Sequence, residues 1–168
     1  DDPDGSRIFR TATAINNGQR EASEAEIETR FRVEELTFRG VELLETGPGD
    51  AAPLGLAWYQ QWLAASNLRR LSERVYVLRD GQFRDSDRDA FAELFRILGA
   101  QCLLTLTRVG PLGSQSFNRQ LHQIHLNQLG YTEQVDFAPG EPLLMTRNDY
   151  RFALFNGDAG VCVRVQSG

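Results

Sequence analysis

The chain has 168 residues, a formal net charge of −5 and an apolar content of 41%, which fits one globular domain, or one and a fraction. All 18 basic residues are arginine, so the sequence excludes a phosphate-binding loop of the G-x-x-x-x-G-K-[ST] type and Schiff-base lysine chemistry. The net charge is negative, so any nucleic-acid surface must be local. No apolar run approaches the roughly 18 to 20 residues that span a bilayer, and we predict a cytoplasmic protein without a membrane partner.

The first residues and the cysteines indicate the setting of the chain. It begins Asp1-Asp2-Pro3-Asp4, and its one methionine is Met145, so we expect a piece of a longer protein, and the alternative is a processed product. Cys102 and Cys162 lie in apparent strands with apolar neighbours. That pattern predicts buried, reduced thiols, although two cysteines so far apart in sequence can in principle form a bridge.

The first half of the chain predicts two main helices. The first ends at Asn17-Gly18 and carries an apolar stripe of Ile8, Phe9, Ala12 and Ile15. The second begins near Pro53 and places Trp58 and Trp62 on one face. We interpret the two tryptophans as core anchors, and the alternative is a stacking platform for bases.

The segment from Phe91 to Leu129 predicts a helix, a buried strand, a glycine-containing loop and a second helix. The first helix ends at Gly99, and the almost continuous apolar run 102–107 is typical of a strand buried on both faces. The loop 108–113 contains Arg108 and two glycines. This order fits an αβα piece of an open α/β sheet, where ligands collect at the carboxyl ends of the strands.

Near the end of the chain the pattern predicts a β-hairpin. The strand 143–146 is interrupted by the turn-forming residues Arg147-Asn148-Asp149. Asn156-Gly157 is a strong signal for a tight hairpin turn, because both residues tolerate positive φ. Three valines, at positions 161, 163 and 165, then alternate with other residues, as in a half-buried strand.

No pattern indicates a catalytic residue. His122 and His125 lie three apart on one predicted helix, where a metal site, a contact to a DNA backbone and a polar, partly exposed face are all compatible with the spacing. Other ligands are missing and Arg119 would repel a cation, so we predict no metal. Arginines that follow or flank strand ends have the fork geometry that suits phosphate, although each can also be an ordinary surface residue. They are Arg108, Arg147 and Arg151.

Two ordered segments, with a third and weaker one, resemble the second motor region, the UvrD-like C-terminal region, of the RecD-type superfamily 1 DNA helicases. This family includes the alpha subunit of exodeoxyribonuclease V. The segments are Leu143 to Tyr150 followed by Leu154-Phe155-Asn156-Gly157-Asp158-Ala159-Gly160-Val161; Leu103-Leu104 with Arg108-x-Gly110-Pro111-x-Gly113 and Asn118; and, more weakly, Ala12-x-Ala14-Ile15-Asn16-Asn17-Gly18.

The resemblance implies an α/β fold, a partial RecA-like open sheet with flanking helices. Residues 1–140 would be part of the second RecA-like motor domain, with a variable region at 19–85. Residues 141–168 would form a β-hairpin that begins a small inserted SH3-like barrel. The parent would be an ATP-dependent 5′-to-3′ DNA helicase of a recombinational repair nuclease. It would use ATP and Mg²⁺ and assemble with beta and gamma subunits.

The fragment itself is expected to bind no cofactor and to be inactive alone, because the ATP site of the family lies beyond it. We expect it to hold single-stranded DNA through Arg108, Asn118, Arg147 and Asn148. Arg108 would bind a phosphate, and Asn118 would touch backbone or base at a helix start. Two alternatives remain: a non-catalytic interaction module of a DNA repair complex, docking through the tryptophan face, and a stand-alone nuclease domain.

Overall fold

A computed structural model describes residues 2–45, 47, 49, 51–64 and 67–167. They form a mixed α/β chain with three small sheets, as the α/β prediction requires. The chain divides into two compact units, Asp1–Gln61 and Trp62–Gly168. No helix in the described ranges combines the length and the apolarity that crossing a bilayer requires.

The first unit contains helices α1 (Pro3–Asn16) and α2 (Arg20–Glu24), strands β1 (Glu28–Arg30) and β2 (Glu42–Leu44), a 3₁₀ turn (Val33–Glu35) and most of helix α3 (Ala51–Ala64). Strands β1 and β2 are parallel, and Glu28 lies opposite Glu42. The carboxylate of Asp2 caps α1 by accepting a hydrogen bond from the Asp4 amide at 3.1 Å.

The predicted apolar stripe of α1 is present, but its large side chains lie in solvent. Ile8, Phe9 and Ile15 are exposed, whereas Thr11 and Ala14 form the buried face. The small buried face suits close packing, and two ion pairs also connect α1 to the residues that follow α2. Arg7 pairs with Glu28 at 2.6 Å and Arg10 pairs with Glu26 at 2.9 Å.

A carboxylate stabilises the tight turn that precedes β2. Glu42 accepts hydrogen bonds from the Thr37 amide at 3.0 Å, from the Phe38 amide at 2.8 Å and from Arg30 Nε at 2.9 Å. Phe38 has a φ of 55°, which is uncommon for a bulky residue. The Glu42 carboxylate therefore stabilises a backbone conformation that the local sequence disfavours.

The second unit contains the end of α3, helices α4 (Leu68–Glu73), α5 (Arg88–Ala100) and α6 (Ser114–Gln128), and five strands. The 3₁₀ turn Asp85–Asp87 leads into α5. The strands are β3 (Val75–Arg79), β4 (Gln82–Phe83), β5 (Pro142–Leu144), β6 (Ala159–Val161) and β7 (Arg164–Ser167). One sheet has the order β4-β3-β7, with β3 antiparallel to β4 and parallel to β7, and the other is the antiparallel pair β5-β6.

The core of this unit lies between its helices and strand β3. Tyr76 is 1% exposed and stacks on Phe91 with ring centroids 4.8 Å apart. Trp62 is buried and its indole Nε1 donates to Ile97 O at 3.4 Å, so it is a core anchor, as predicted. Trp58 is half-buried. The remaining core side chains come mainly from the helices: Leu68, Leu71, Ala90, Leu94, Ile97, Phe117, Leu126 and Ala138.

The predicted buried strand at 102–107 is wrong. The segment is irregular, with Leu104 85% exposed and Leu106 fully exposed, and none of the described strands pairs with it. A segment apolar on both faces needs neighbours on both sides to be buried. The expected αβα layer is therefore a helix, an irregular apolar segment, a loop and a helix.

The exposure of this segment also bears on the prediction that both thiols are buried. Cys102 is exposed, Cys162 is half-buried, and both are free. The prediction of buried thiols is therefore wrong for Cys102.

The terminal hairpin is confirmed, but its second strand is shorter than predicted. Leu143 lies opposite Gly160 in the β5-β6 pair. The chain then leaves the pair after Val161, and β7 joins β3 instead. Val161 and Val165 thus lie in two different sheets, and Val163 lies between the two strands.

Helix α6 holds the connection to β5 through two histidines. His125 is buried and its Nε2 lies 2.8 Å from Pro139 O, while His122 Nε2 lies 2.9 Å from Val135 O. His122 Nδ1 lies 2.5 Å from Glu141 Oε1, and the other carboxylate oxygen accepts from the Ala138 amide at 2.7 Å. We call this arrangement the Glu141 clamp. The histidines are structural, so the expectation of a polar, partly exposed face is wrong for His125.

Gly140 in this connection allows a direct test of the packing. Its φ is +95°, and an added Cβ would overlap the Ser72 hydroxyl, which is itself fixed by a bond to Leu68 O at 2.7 Å. We expect Gly140→Ala to lower the free energy of unfolding by about 3 kcal/mol or more, from backbone strain plus overpacking. Gly130→Ala, at a φ of +74° with nothing within 4 Å, should cost only about 1 kcal/mol. Urea denaturation measures both, and equal losses would contradict the packing.

Glu42 gives the first unit a pH dependence. Burial raises the pKa of this carboxylate, but hydrogen bonds from Arg30, Thr37 and Phe38 together outweigh burial and lower it below its ordinary value of 4.5. Its contribution to stability is therefore complete above about pH 4.5 and is lost as the pH falls through the lowered value. We expect Glu42→Gln to cost about 1–3 kcal/mol at pH 7 and less at pH 3.

Thermal unfolding between pH 7 and pH 3 tests this expectation, with Glu45→Gln as the control that removes a nearby exposed carboxylate. If the two variants lose stability with the same pH profile, Glu42 does not have the role assigned to it.

Candidate nucleic-acid interface

The loop before α6 is closed by its own backbone. Ser114 N donates to Thr107 O at 3.0 Å, and Gln115 N donates to Arg108 O at 3.1 Å. Gly110 has a φ of +103°, and a Cβ on the buried Gly113 would lie 2.7 Å from Arg108 O. Both glycines of the R-x-G-P-x-G pattern are therefore required by geometry.

This closure determines what the loop can bind. The amides of Ser114 and Gln115, at the first turn of α6, are already bonded to the loop, so they are not an open site for an anion. Exposed side chains are then the candidates for contact with a ligand. Arg108 and Asn118 are both exposed, and Arg108 forms no ion pair among the residues that the structure describes.

The hairpin continues beyond β5 and β6 as a two-stranded ribbon held by backbone hydrogen bonds. Met145 N donates to Asp158 O at 2.9 Å, and Gly157 N donates to Met145 O at 2.9 Å. Further out, Asp149 and Leu154 exchange two backbone hydrogen bonds of 2.8 and 3.1 Å. Gly157 has a φ of +97°, as its place in the predicted turn requires.

The two predicted site residues on the hairpin differ in availability. The Arg147 side chain is exposed. The Asn148 side chain is also at the surface, but its Oδ1 accepts from the Asn156 amide at 2.8 Å and its Nδ2 donates to the Tyr150 hydroxyl at 3.0 Å. Its amide is thus used to hold the ribbon together.

The four predicted residues consequently form two pairs in the second unit. Arg108 and Asn118 lie at the loop and first turns of α6, and Arg147 and Asn148 lie side by side on the hairpin. Arg151, the third arginine singled out by its place at a turn, pairs with Asp149 at 2.8 Å.

Sequence reasoning missed the exposed aromatic rings of the hairpin, Tyr150, Phe152 and Phe155. The sequence did contain a signal for their exposure. The stretch between the turns at Asn148 and Asn156 is too short to fold back and bury its aromatic side chains. It also missed the Glu141 clamp, whose partners are 19 residues apart and share no periodic pattern.

The described residues contain no group of three or more His, Cys, Asp or Glu that would hold a metal ion. Burial first, and then the charge of Glu141, raises the pKa of the Cys162 thiol and disfavours the reactive thiolate. Hydrogen bonds from arginine side chains hold the pKa of three carboxylates below their ordinary range: Glu26 by Arg10, Glu93 by Arg96 and Asp149 by Arg151.

Comparisons with known proteins relate this chain to one kind of protein. It is 31% identical over 151 residues to the RecBCD enzyme subunit RecD of Mycolicibacterium smegmatis, an alignment that covers 86% of this chain and 26% of that protein. The RecBCD enzyme subunit RecD of Haemophilus influenzae is 26% identical over 107 residues, which is 60% of this chain and 17% of that subunit. The subunit of the same name from Mycobacterium tuberculosis is 35% identical over 66 residues, or 39% of this chain and 12% of that subunit.

No family model and no solved structure matches the chain. The chain spans about a quarter of the length of the M. smegmatis subunit, and the match extends over most of the chain. All three relatives are RecD subunits, which agrees with the resemblance indicated by the sequence motifs. The chain therefore belongs to the RecD family, as a segment of a RecD-type subunit.

Proposed function

We propose that this chain is part of the second motor region of an ATP-dependent 5′-to-3′ DNA helicase in recombinational repair, and that it holds single-stranded DNA. The observation that carries the proposal is the closed loop before α6. It bonds the Ser114 and Gln115 amides internally and leaves the cationic fork of Arg108 exposed beside a helix start. The relation to RecBCD enzyme subunits supports the same assignment.

In this proposal, residues 1–140 belong to the RecA-like motor domain, and residues 141–168 begin an SH3-like barrel. The parent protein would bind ATP and Mg²⁺ with residues outside this chain, because the chain has no lysine for a phosphate-binding loop. Its partners would be DNA and the beta and gamma subunits of the exodeoxyribonuclease complex. The segment alone would neither hydrolyse ATP nor unwind DNA.

Each site residue has a physical task. Arg108 would donate to a phosphate, and Asn118 would reach backbone or base from the second turn of α6. On the hairpin, Arg147 would contact a second phosphate, and Asn148 would support it by fixing the ribbon through its bonds to Asn156 and Tyr150. Contacts of this kind are cationic and few, so binding should be weak and sensitive to salt.

A second candidate is a non-catalytic interaction module of a DNA repair complex. It is favoured by α1, whose Phe9 is 72% exposed and whose Ile8 and Ile15 are more than half exposed. Apolar side chains on one helix face are typical of a surface that another protein covers. The tryptophan face suits this role poorly, because Trp62 is buried.

Fluorescence anisotropy with a labelled oligothymidylate tests DNA holding by the 168-residue chain. We expect binding that weakens steeply between about 20 and 200 mM salt. Arg108→Ala should weaken binding roughly fivefold and lower the salt slope by roughly 0.7, the value for one lost phosphate contact on a single strand. Asn118→Ala should weaken binding while leaving the salt slope unchanged.

Arg79→Ala is the matched control, since it removes an exposed arginine from β3 in the same unit with the same change in net charge. An equal effect of the two arginine substitutions would remove Arg108 from the site. Absence of DNA binding by the unmodified chain at low salt would reject DNA holding and favour the interaction module.

A further inference from the structure

The outer end of the hairpin, residues 147–156, displays aromatic rings in solvent; we call it the hairpin tip. Tyr150 is 77% exposed, Phe152 is 70% exposed and Phe155 is 49% exposed. Aromatic rings exposed on one short segment cost free energy in water and mark a binding site when they persist in a folded protein.

The frame of the hairpin tip is fixed by hydrogen bonds. Asp149 and Leu154 exchange backbone bonds, and Phe152 N donates to Asp149 O at 3.2 Å. The Asn148 amide connects the two sides of the ribbon and also holds the Tyr150 hydroxyl. The rings therefore project from an ordered turn, and binding a partner would cost little additional ordering of the backbone.

The one carboxylate within the tip, that of Asp149, is neutralised internally. Arg151 binds Asp149 through two nitrogens, at 2.8 and 3.1 Å, and these bonds hold the pKa of Asp149 below its ordinary range. Asp158 lies outside the tip, at the base of the ribbon, where its carboxylate accepts from the Phe155 amide at 2.7 Å. The Arg147 guanidinium has no ion pair within the described part of the chain, so it is the uncompensated charge of the tip.

The arrangement of the rings leaves flat faces available. Tyr150 and Phe155 meet edge to face, with centroids 6.3 Å apart and planes at 77°, so the edge of one ring lies against only one face of the other. The Arg151 guanidinium carbon lies 5.5 Å from the centroid of Phe152 and covers one face of that ring only. A planar, electron-poor group can therefore stack on the other face.

We propose that the hairpin tip is a base-stacking contact for single-stranded DNA, in which Tyr150 and Phe152 stack on unpaired bases and Arg147 binds the adjoining phosphate. Aromatic rings interleaved with arginines suit a strand whose bases and phosphates alternate, whereas an apolar protein partner would leave the Arg147 charge unmatched. Asn148 is a positioning residue, because it acts through the hydroxyl of Tyr150 and the backbone of Asn156. This inference rests on the DNA-holding role proposed above.

The test separates bases from phosphates. The 168-residue chain is titrated with a labelled oligothymidylate and with an abasic oligonucleotide of the same length, which keeps the phosphates and lacks the bases. The unmodified chain should bind the oligothymidylate at least tenfold more tightly. Tyr150→Ala with Phe152→Ala should remove that preference, weaken binding to the oligothymidylate by about tenfold per ring, and leave the salt slope unchanged.

Two further variants make the outcome interpretable. Phe137→Ala removes an exposed ring elsewhere in the same unit and should change nothing. Tyr150→Leu with Phe152→Leu keeps the apolar bulk but removes the aromatic face, and it should weaken binding as the alanine pair does. Such a result would show that the loss in the alanine pair does not come from misfolding.

Equal affinity of the unmodified chain for the two oligonucleotides, or full affinity in the leucine pair, would overturn the stacking contact while leaving DNA holding intact. No binding of either oligonucleotide by the unmodified chain would reject both proposals together.

Discussion

The Glu141 carboxylate is the constraint on which the second half of the molecule depends. One oxygen faces His122 Nδ1 at 2.5 Å, and the other accepts from the Ala138 amide at 2.7 Å. His122 Nε2 lies 2.9 Å from Val135 O, so both nitrogens of this ring face oxygens of the connection that leads to β5.

The backbone of Glu141 extends this constraint to the hairpin. Cys162 N donates to Glu141 O at 2.9 Å, and Gly140 N donates to Cys162 O at 2.8 Å. The chain passes from there into β7, which pairs with β3 at the core. Glu141 thus contacts helix α6 through His122 and the base of the hairpin through Cys162. The chain continues from Cys162 into the β4-β3-β7 sheet. The proposed contact on the hairpin depends on this junction for a fixed support, whereas the Arg108 loop is closed by its own backbone.

Local patterns in the sequence predicted local structure. The end of α1, helices α5 and α6 and the Asn156-Gly157 turn follow from neighbours a few residues apart. The prediction of a buried strand at 102–107 was wrong, because a strand that is apolar on both faces needs neighbouring elements that its own sequence does not provide. The Glu141 clamp joins positions 19 residues apart, and α1 buries Thr11 and Ala14 rather than its largest side chains, so tertiary packing decided both. The sequence predicted the arginines of the candidate site, because they lie at turns. The exposed faces of the aromatic rings could be recognised only in the structure.

The most direct test is amide hydrogen exchange, resolved by residue, in Glu141→Gln and in the control Glu133→Gln, which alters an exposed carboxylate in the same connection. If the clamp fixes the junction, Glu141→Gln will speed exchange at Ala138, Gly140 and Cys162, while the amides of α5 stay protected and Glu133→Gln changes nothing. Unchanged protection at those three amides would contradict the account, because the hairpin root would then be held without the Glu141 carboxylate.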